Sequence, residues 1–205
     1  DELKKQGYKA FYIAIGCQGS RKAGIDGEDA DGVVSAVDFL KEAGTAHEYQ
    51  LEGDVVVIGG GNVAIDVART STRVGDYNVF MFCLEDRANM PASEEEIEEA
   101  VEEGVKLDCG WGPKEILTEN GKVTGIVLKR CTSVKDADGR FNPQYDENDT
   151  KTVKCSHVFL SIGQTTIWGD LLKGTKVEID GVRVKADKLT YQTTDPDVFI
   201  GGDVY

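Results

Sequence analysis

The chain has 205 residues, with 23 Lys and Arg against 37 Asp and Glu, for a formal net charge of -14. A hydrophobic fraction of 40% beside 29% charged residues supports a globular core, in one large domain or two modest ones, and argues against disorder. The acidic balance argues against a nucleic-acid footprint, which needs clustered cations, and no apolar run approaches the roughly 18 residues of a spanning helix.

Taken from the start, Asp1-Glu2-Leu3-Lys4-Lys5 lacks the pattern of a secretion signal, so the expectation is a soluble, cytoplasmic chain. The chain opens without Met and stops at Tyr205 just after a strand-and-turn signal, so it reads as a piece of something longer. Phe11 to Gly16 is a short apolar strand ending at glycine, a pattern repeated at Val158 to Gly163 and at Val198 to Asp203. Such strands read either as buried strands that stop at turns or as strands that deliver backbone, Gly16 included, at the carboxyl edge of a parallel sheet, where ligands bind.

The clearest segment is central. Asp54 to Gly59 is a β-branched run of the kind found in buried parallel strands. It enters Gly59-Gly60-Gly61 and then a helix from Asn62 to about Val74, whose apolar face is Val63, Ala64, Val67 and Ala68. Gly75 and Asp76 close that helix, and Asn78 to Cys83 is a second buried strand, which completes one βαβ unit. Ser93 then caps a second helix, with Glu96 in position for a capping box, and the acidic run from Ser93 to Glu103 reads as a solvated face. Val105 to Asp108 is a third strand.

Beyond Pro113 the period changes. Glu115 to Thr118 and Val123 to Cys131 form a hairpin with Asn120-Gly121 at its tip. Lys135 to Lys151 is rich in Asp, Asn, Gly and Pro and reads as a surface loop, followed by strands at Thr152 to Cys155 and His157 to Ile162.

Five cysteines, at 17, 83, 109, 131 and 155, show no metal or dithiol spacing, and Cys83, Cys131 and Cys155 read as buried, inert thiols. His47 and His157 fit no ligand motif and read as structural. Neither a metal site nor a catalytic dyad is expected.

The chemistry concentrates in Gly59-Gly60-Gly61-Asn62-Val63-Ala64, a GxGxxA turn between strand and helix. Gly59 permits the tight turn, Gly61 lets backbone approach a diphosphate, and Ala64 lets the helix pack closely on the strand. The first helical amides then face the phosphates at the positive end of the helix dipole. Glu85 lies about 20 residues further on, where an acid binds the ribose hydroxyls of NAD and repels the 2′-phosphate of NADP. Arg87 acts the other way, on a phosphate or on its acidic neighbours Glu85 and Asp86.

Together these residues resemble the FAD- and NAD(P)H-dependent glutamate synthase small-subunit family, within the pyridine nucleotide-disulfide oxidoreductases. Matching portions of dihydropyrimidine dehydrogenase and NADH-dependent ferredoxin:NADP oxidoreductase share the pattern. The resemblance rests on Ala14 to Lys22, Gly24 to Asp29, Ala36 to Leu40, Val57 to Thr70, Arg87, Met90 to Ala92, Glu103 to Val105, Ser161 to Gln164, Gln192 and Val198 to Val204.

It implies an α/β fold: a Rossmann-like NAD(P)-binding domain, parallel sheet plus β-meander, over residues 51–163. Residues 1–50 and 164–205 would be flanking remnants of a discontinuous FAD-binding domain. It further implies that Asp203 holds the flavin's ribityl chain and that Gly163 passes near the nicotinamide. In full length, hydride would pass from NAD(P)H to FAD and onward through iron–sulfur centres to a partner such as a synthase large subunit. The chain departs from the family in lacking the first FAD fingerprint and the iron–sulfur cysteines. The paired arginines of NADPH-using members are replaced by Leu84 and Glu85, which favours NADH over NADPH. The rivals are a redox-inactive nicotinamide-nucleotide-binding domain, a dithiol oxidoreductase, and the ferredoxin or dihydropyrimidine branch of the same enzymes.

Overall fold

The computed structural model describes residues 2–45, 49–75 and 77–205, so His47 and Asp76 lie outside the described residues. The chain forms two compact units, one of residues 1–19 with 164–205 and a larger one of residues 20–163.

The larger unit runs β1 (Val33–Ser35), α1 (Ala36–Thr45), β2 (Val55–Ile58), α2 (Asn62–Arg73), β3 (Val79–Cys83), α3 (Glu94–Glu102), β4 (Lys106–Cys109), β5 (Trp111–Glu119), β6 (Lys122–Lys135), β7 (Phe141–Lys154) and β8 (His157–Leu160). Five strands make a parallel sheet in the order β1-β8-β2-β3-β4. Strands β2 and β3 are apolar at every position because both faces of the sheet are covered. Val55, Val57, Val79, Met81 and Phe159 face the helical layer, with Phe39, Ile65, Val67 and Ile97. Val56, Ile58, Phe82, Val158 and Leu160 face the antiparallel meander β5-β6-β7, which contributes Trp111, Ile116, Ile126 and Leu128. The fold is thus the expected α/β sheet with an added meander.

The larger unit begins at Ser20, ahead of residue 51 where the sequence reading starts the nucleotide-binding domain. The reason is physical. β1 pairs in parallel with β8, Val33 opposite Val158, and the wholly buried Phe39 of α1 lies 4.6 Å from Phe159, ring centre to ring centre.

A second difference concerns residues 135–151. Instead of a loop, residues 141–154 form a 14-residue strand, β7, paired antiparallel with β6. Its Asp and Asn content disfavours a strand, but β7 is an edge strand whose side chains are mostly exposed, so pairing with β6 overrides that propensity. Ion pairs Lys129–Glu147 at 2.7 Å and Arg130–Asp149 at 3.2 Å tie its acids to β6.

At the hairpin tip, Asn120 and Gly121 both take positive φ, 53° and 79°, the pairing a two-residue hairpin turn requires. In the smaller unit, Phe11–Ile13 and Val198–Ile200 pair in parallel, Ile13 opposite Ile200. Two of the three repeated strands therefore share a sheet, while the third is β8. No helix among the described residues is long and apolar enough to cross a membrane.

Candidate functional site

The glycine turn sits at the carboxyl end of β2, where backbone geometry decides each position. Gly59 has φ 148°, and a β-carbon there would lie 2.4 Å from the Ser161 carbonyl oxygen and 3.2 Å from the Ala64 β-carbon. Only glycine fits between β2, β8 and the helix. At Gly61 the surroundings differ: a β-carbon would meet nothing within 4 Å. The residue that opens α2 thus borders empty space, where a ligand's phosphates have room to approach backbone.

The donors that face this space follow from helix geometry. The Ala64 and Ile65 amides both donate to the Gly61 carbonyl, at 2.9 and 3.2 Å. Among the described residues, the amides of Gly60, Gly61, Asn62 and Val63 have no hydrogen-bond partner. The amides of Asn62 and Val63 are thus unengaged, whereas that of Ala64 is bonded within the turn. Four unengaged donors at a helix N-terminus, reinforced by its dipole, form an anion cradle. These residues fit a dinucleotide's diphosphate.

The segment after β3 clamps this turn from outside. Ala92 N donates to the Gly60 carbonyl at 3.0 Å, and Ser93 N donates to Asn62 Oδ1 at 3.2 Å. Ser93 Oγ accepts from Glu96 N at 3.4 Å, so it caps α3 as expected. The reciprocal half of the capping box is not made, because the Ser93 amide is spent on Asn62, and Glu96 Oε2 is left buried without a partner. The side chain of Asn62 is therefore a tie between turn and α3. No local pattern signals a bond spanning 31 positions.

Glu85 lies beside the turn: its Oε2 is 3.0 Å from where a Gly60 β-carbon would be. Arg87 Nη2 donates to Glu94 Oε1 at 3.1 Å, so it pairs with α3 rather than with Glu85 or Asp86. Nor are all acids of α3 simply solvated. Glu99 pairs with Arg69, and Glu103 with Arg69 and Arg73, all at 2.6 Å, which fastens α3 to α2. Gly163, φ 116°, follows β8, and its carbonyl accepts from Arg21 N at 3.2 Å.

In the smaller unit, Gly16 has φ 68°, and a β-carbon there would lie 4.0 Å from Asp203 Oδ2. The exposed Asp203 carboxylate has no partner among the described residues, so it is available to ligand hydroxyls. The Cys17 thiol donates to the Asp203 carbonyl at 3.1 Å.

All five cysteines are free thiols. Burial pushes Cys83 well above the ordinary thiol range and Cys155 up to about 12. Cys131 is part-exposed rather than buried, though what burial it has raises its pKa too. Cys83 and Cys109 are cross-strand neighbours on β3 and β4, a proximity their sequence spacing does not reveal. His157 is half-buried, and burial lowers its pKa.

The pyridine nucleotide-disulphide oxidoreductase family profile matches residues 1–205. Putative oxidoreductase AegA of Escherichia coli (strain K12) is 35% identical over 221 residues, covering 99% of this chain and 33% of that protein. The glutamate synthase (NADPH) small chain of the same organism is 32% identical over 214 residues, covering 96% of this chain and 45% of that one. The chain thus spans a third to under half of these relatives. Among solved structures, Mycobacterium tuberculosis FprA in complex with NADPH superposes with TM-score 0.78 at 19% identity, over 99% of this chain and 59% of that one. Thioredoxin reductase of T. acidophilum does so with TM-score 0.68 at 21% identity, over 94% of this chain and 56% of that one. At such identities the structural likeness speaks for fold alone. With its sequence matched from end to end, the chain belongs to the pyridine nucleotide-disulphide oxidoreductase family and is similar there to glutamate synthase small chains.

Proposed function

We propose that the larger unit is the nicotinamide-nucleotide-binding module of a flavin-dependent oxidoreductase. The observation that carries this reading is the cradle at Gly61: open space on one side and the unengaged amides of Gly60, Gly61, Asn62 and Val63 on the other. These amides hold the diphosphate. Gly59 and Ala64 keep helix and strand close enough to aim them, and the Asn62–Ser93 and Gly60–Ala92 bonds keep the turn from moving. Glu85 takes the ribose hydroxyls of the adenosine end, and the backbone at Gly163 lies toward the nicotinamide.

When bound, the nicotinamide supplies a hydride and the flavin accepts it, so this chain need only position and exclude water. Relatives include a glutamate synthase (NADPH) small chain, an NADP(+)-dependent formate dehydrogenase subunit and an NADPH-Fe(3+) oxidoreductase subunit. The reading for this chain is NADH over NADPH, supported by the Glu85 carboxylate beside Gly60 and by the engagement of Arg87 with Glu94.

In the smaller unit, Gly16 and the exposed Asp203 would contribute to a flavin site, Asp203 accepting from ribityl hydroxyls. Relatives named as a small chain or a subunit beta support onward transfer to a partner protein, with iron–sulfur centres or a large subunit as the class of acceptor. The deciding experiment is calorimetric titration with NADH, NADPH and ADP-ribose. Saturable binding of ADP-ribose that Gly61→Ala weakens supports the cradle, and no heat with any of the three overturns it.

A further inference from the structure

A second charged group reaches the end of β4 from the meander. The Arg130 guanidinium lies over the Trp111 ring, 3.8 Å from its centre. Its Nη1 donates to the carbonyls of Cys109 and Gly110, both at 3.4 Å, and its Nε donates to Asp149 Oδ2 at 3.2 Å. The Gly110 amide in turn donates to the Glu85 carbonyl at 3.0 Å, so one peptide corner carries both Arg130 and the backbone of Glu85. Nη2 of Arg130 has no partner among the described residues, and the side chain is 39% exposed.

The same wall faces Glu85 electrostatically. After burial, the Glu85 charge is among the causes that raise the Cys131 thiol and the Tyr145 phenol. Leu84 and Tyr145 crowd Gly112 from two sides, within 2.8 and 2.6 Å of where its β-carbon would be. The neighbouring cations are engaged elsewhere: Lys129 with Glu147, Lys151 with Asp108.

Resting on the diphosphate reading of the glycine turn, we propose that Arg130 determines how well a 2′-phosphate is tolerated beside Glu85. A dinucleotide held at Gly61 lays its adenosine end across the tip of the next strand, β3. A phosphate there meets the Glu85 carboxylate and needs a cation with an unused N–H. Arg130 supplies one, and stacking on Trp111 holds its plane so that little rotamer entropy is lost on pairing. Glu85 sets the preference for the free ribose, and Arg130 limits how strong that preference becomes.

The test is titration of the 205-residue chain with ADP-ribose and 2′-phospho-ADP-ribose at fixed ionic strength, for wild type, Arg130→Gln and Arg130→Lys. Arg130→Gln weakens the phosphorylated ligand by about tenfold and ADP-ribose by less than about twofold. Arg130→Lys, which keeps the charge without the fork, gives an intermediate ratio. An unchanged ratio in both variants overturns the proposal, as does equal weakening of both ligands in a variant that melts like wild type. If Arg130→Gln does not fold, the Arg130→Lys ratio alone decides. Failure of wild type to bind ADP-ribose is a separate result that overturns the diphosphate reading itself.

Discussion

Oε2 of Glu85 stands 3.0 Å from the point where a β-carbon on Gly60 would lie, so the acid that ends β3 borders the glycine turn that ends β2. Neighbouring parallel strands bring together two positions 25 residues apart, with Ile58 opposite Phe82. Replacing Glu85→Arg exchanges a repulsive charge for an attractive one at the ribose. The ratio of NADPH to NADH affinity rises by about tenfold or more. Titration with both nucleotides at one ionic strength measures it, and an unchanged ratio places the ribose elsewhere.

Two glycines of the turn separate stability from binding. Gly59→Ala drives a β-carbon to 2.4 Å from the Ser161 carbonyl at a positive φ, and costs about 3 kcal/mol of stability. Gly61→Ala meets no protein atom within 4 Å and leaves the unfolding free energy within about 0.5 kcal/mol of wild type. It fills the space the diphosphate needs, and nucleotide affinity drops by about tenfold or more. Paired denaturant melts and titrations give both numbers for each variant.

Asn62→Ala removes the acceptor for Ser93 N and costs about 1 kcal/mol of stability. Because that bond also fixes the turn against α3, amide exchange at Ser93 quickens in the variant. Unchanged exchange there shows that the tie does not hold the segment.

Acid weakens the link between α2 and α3. The hydrogen bond from Arg69 holds the Glu103 carboxyl below its ordinary value of 4.5; partial burial opposes it, and Arg73 adds to the lowering. A carboxyl whose folded pKa is depressed contributes stability that is fully present above 4.5 and lost as pH falls through the lower folded value. Urea midpoints therefore fall below about pH 4.5, and Glu103→Gln flattens that part of the profile. An identical acid limb in the variant assigns the loss to other groups.

Thiol accessibility follows burial. In the native chain Cys83 and Cys155 resist a disulfide reagent at pH 8, since their sulfurs are buried and their pKa values raised. Both react after unfolding in urea. Rapid native labelling of Cys83 together with Cys109, mapped by mass spectrometry, would revive dithiol chemistry at that cross-strand pair.

The βαβ unit was legible because its signals are local. Valines from 55 to 57, glycines from 59 to 61 and the helical spacing of Ala64, Val67 and Ala68 each fix backbone shape within a few residues. The same locality fixed the hairpin at Asn120-Gly121 and the Ser93 cap. What only the tertiary structure decided depends on partners distant in sequence. β7 exists because β6 lends it hydrogen bonds that its Asp-rich sequence could not specify, and residues 20–50 join the larger unit because Val33 finds Val158 and Phe39 finds Phe159. The tie of Asn62 to Ser93, the pairing of Arg87 with Glu94 and the approach of Arg130 to the Glu85 corner are of the same kind. Periodicity and turn chemistry constrain a chain over one turn or one strand, whereas a side chain's partner is set by which surfaces the folded core brings together.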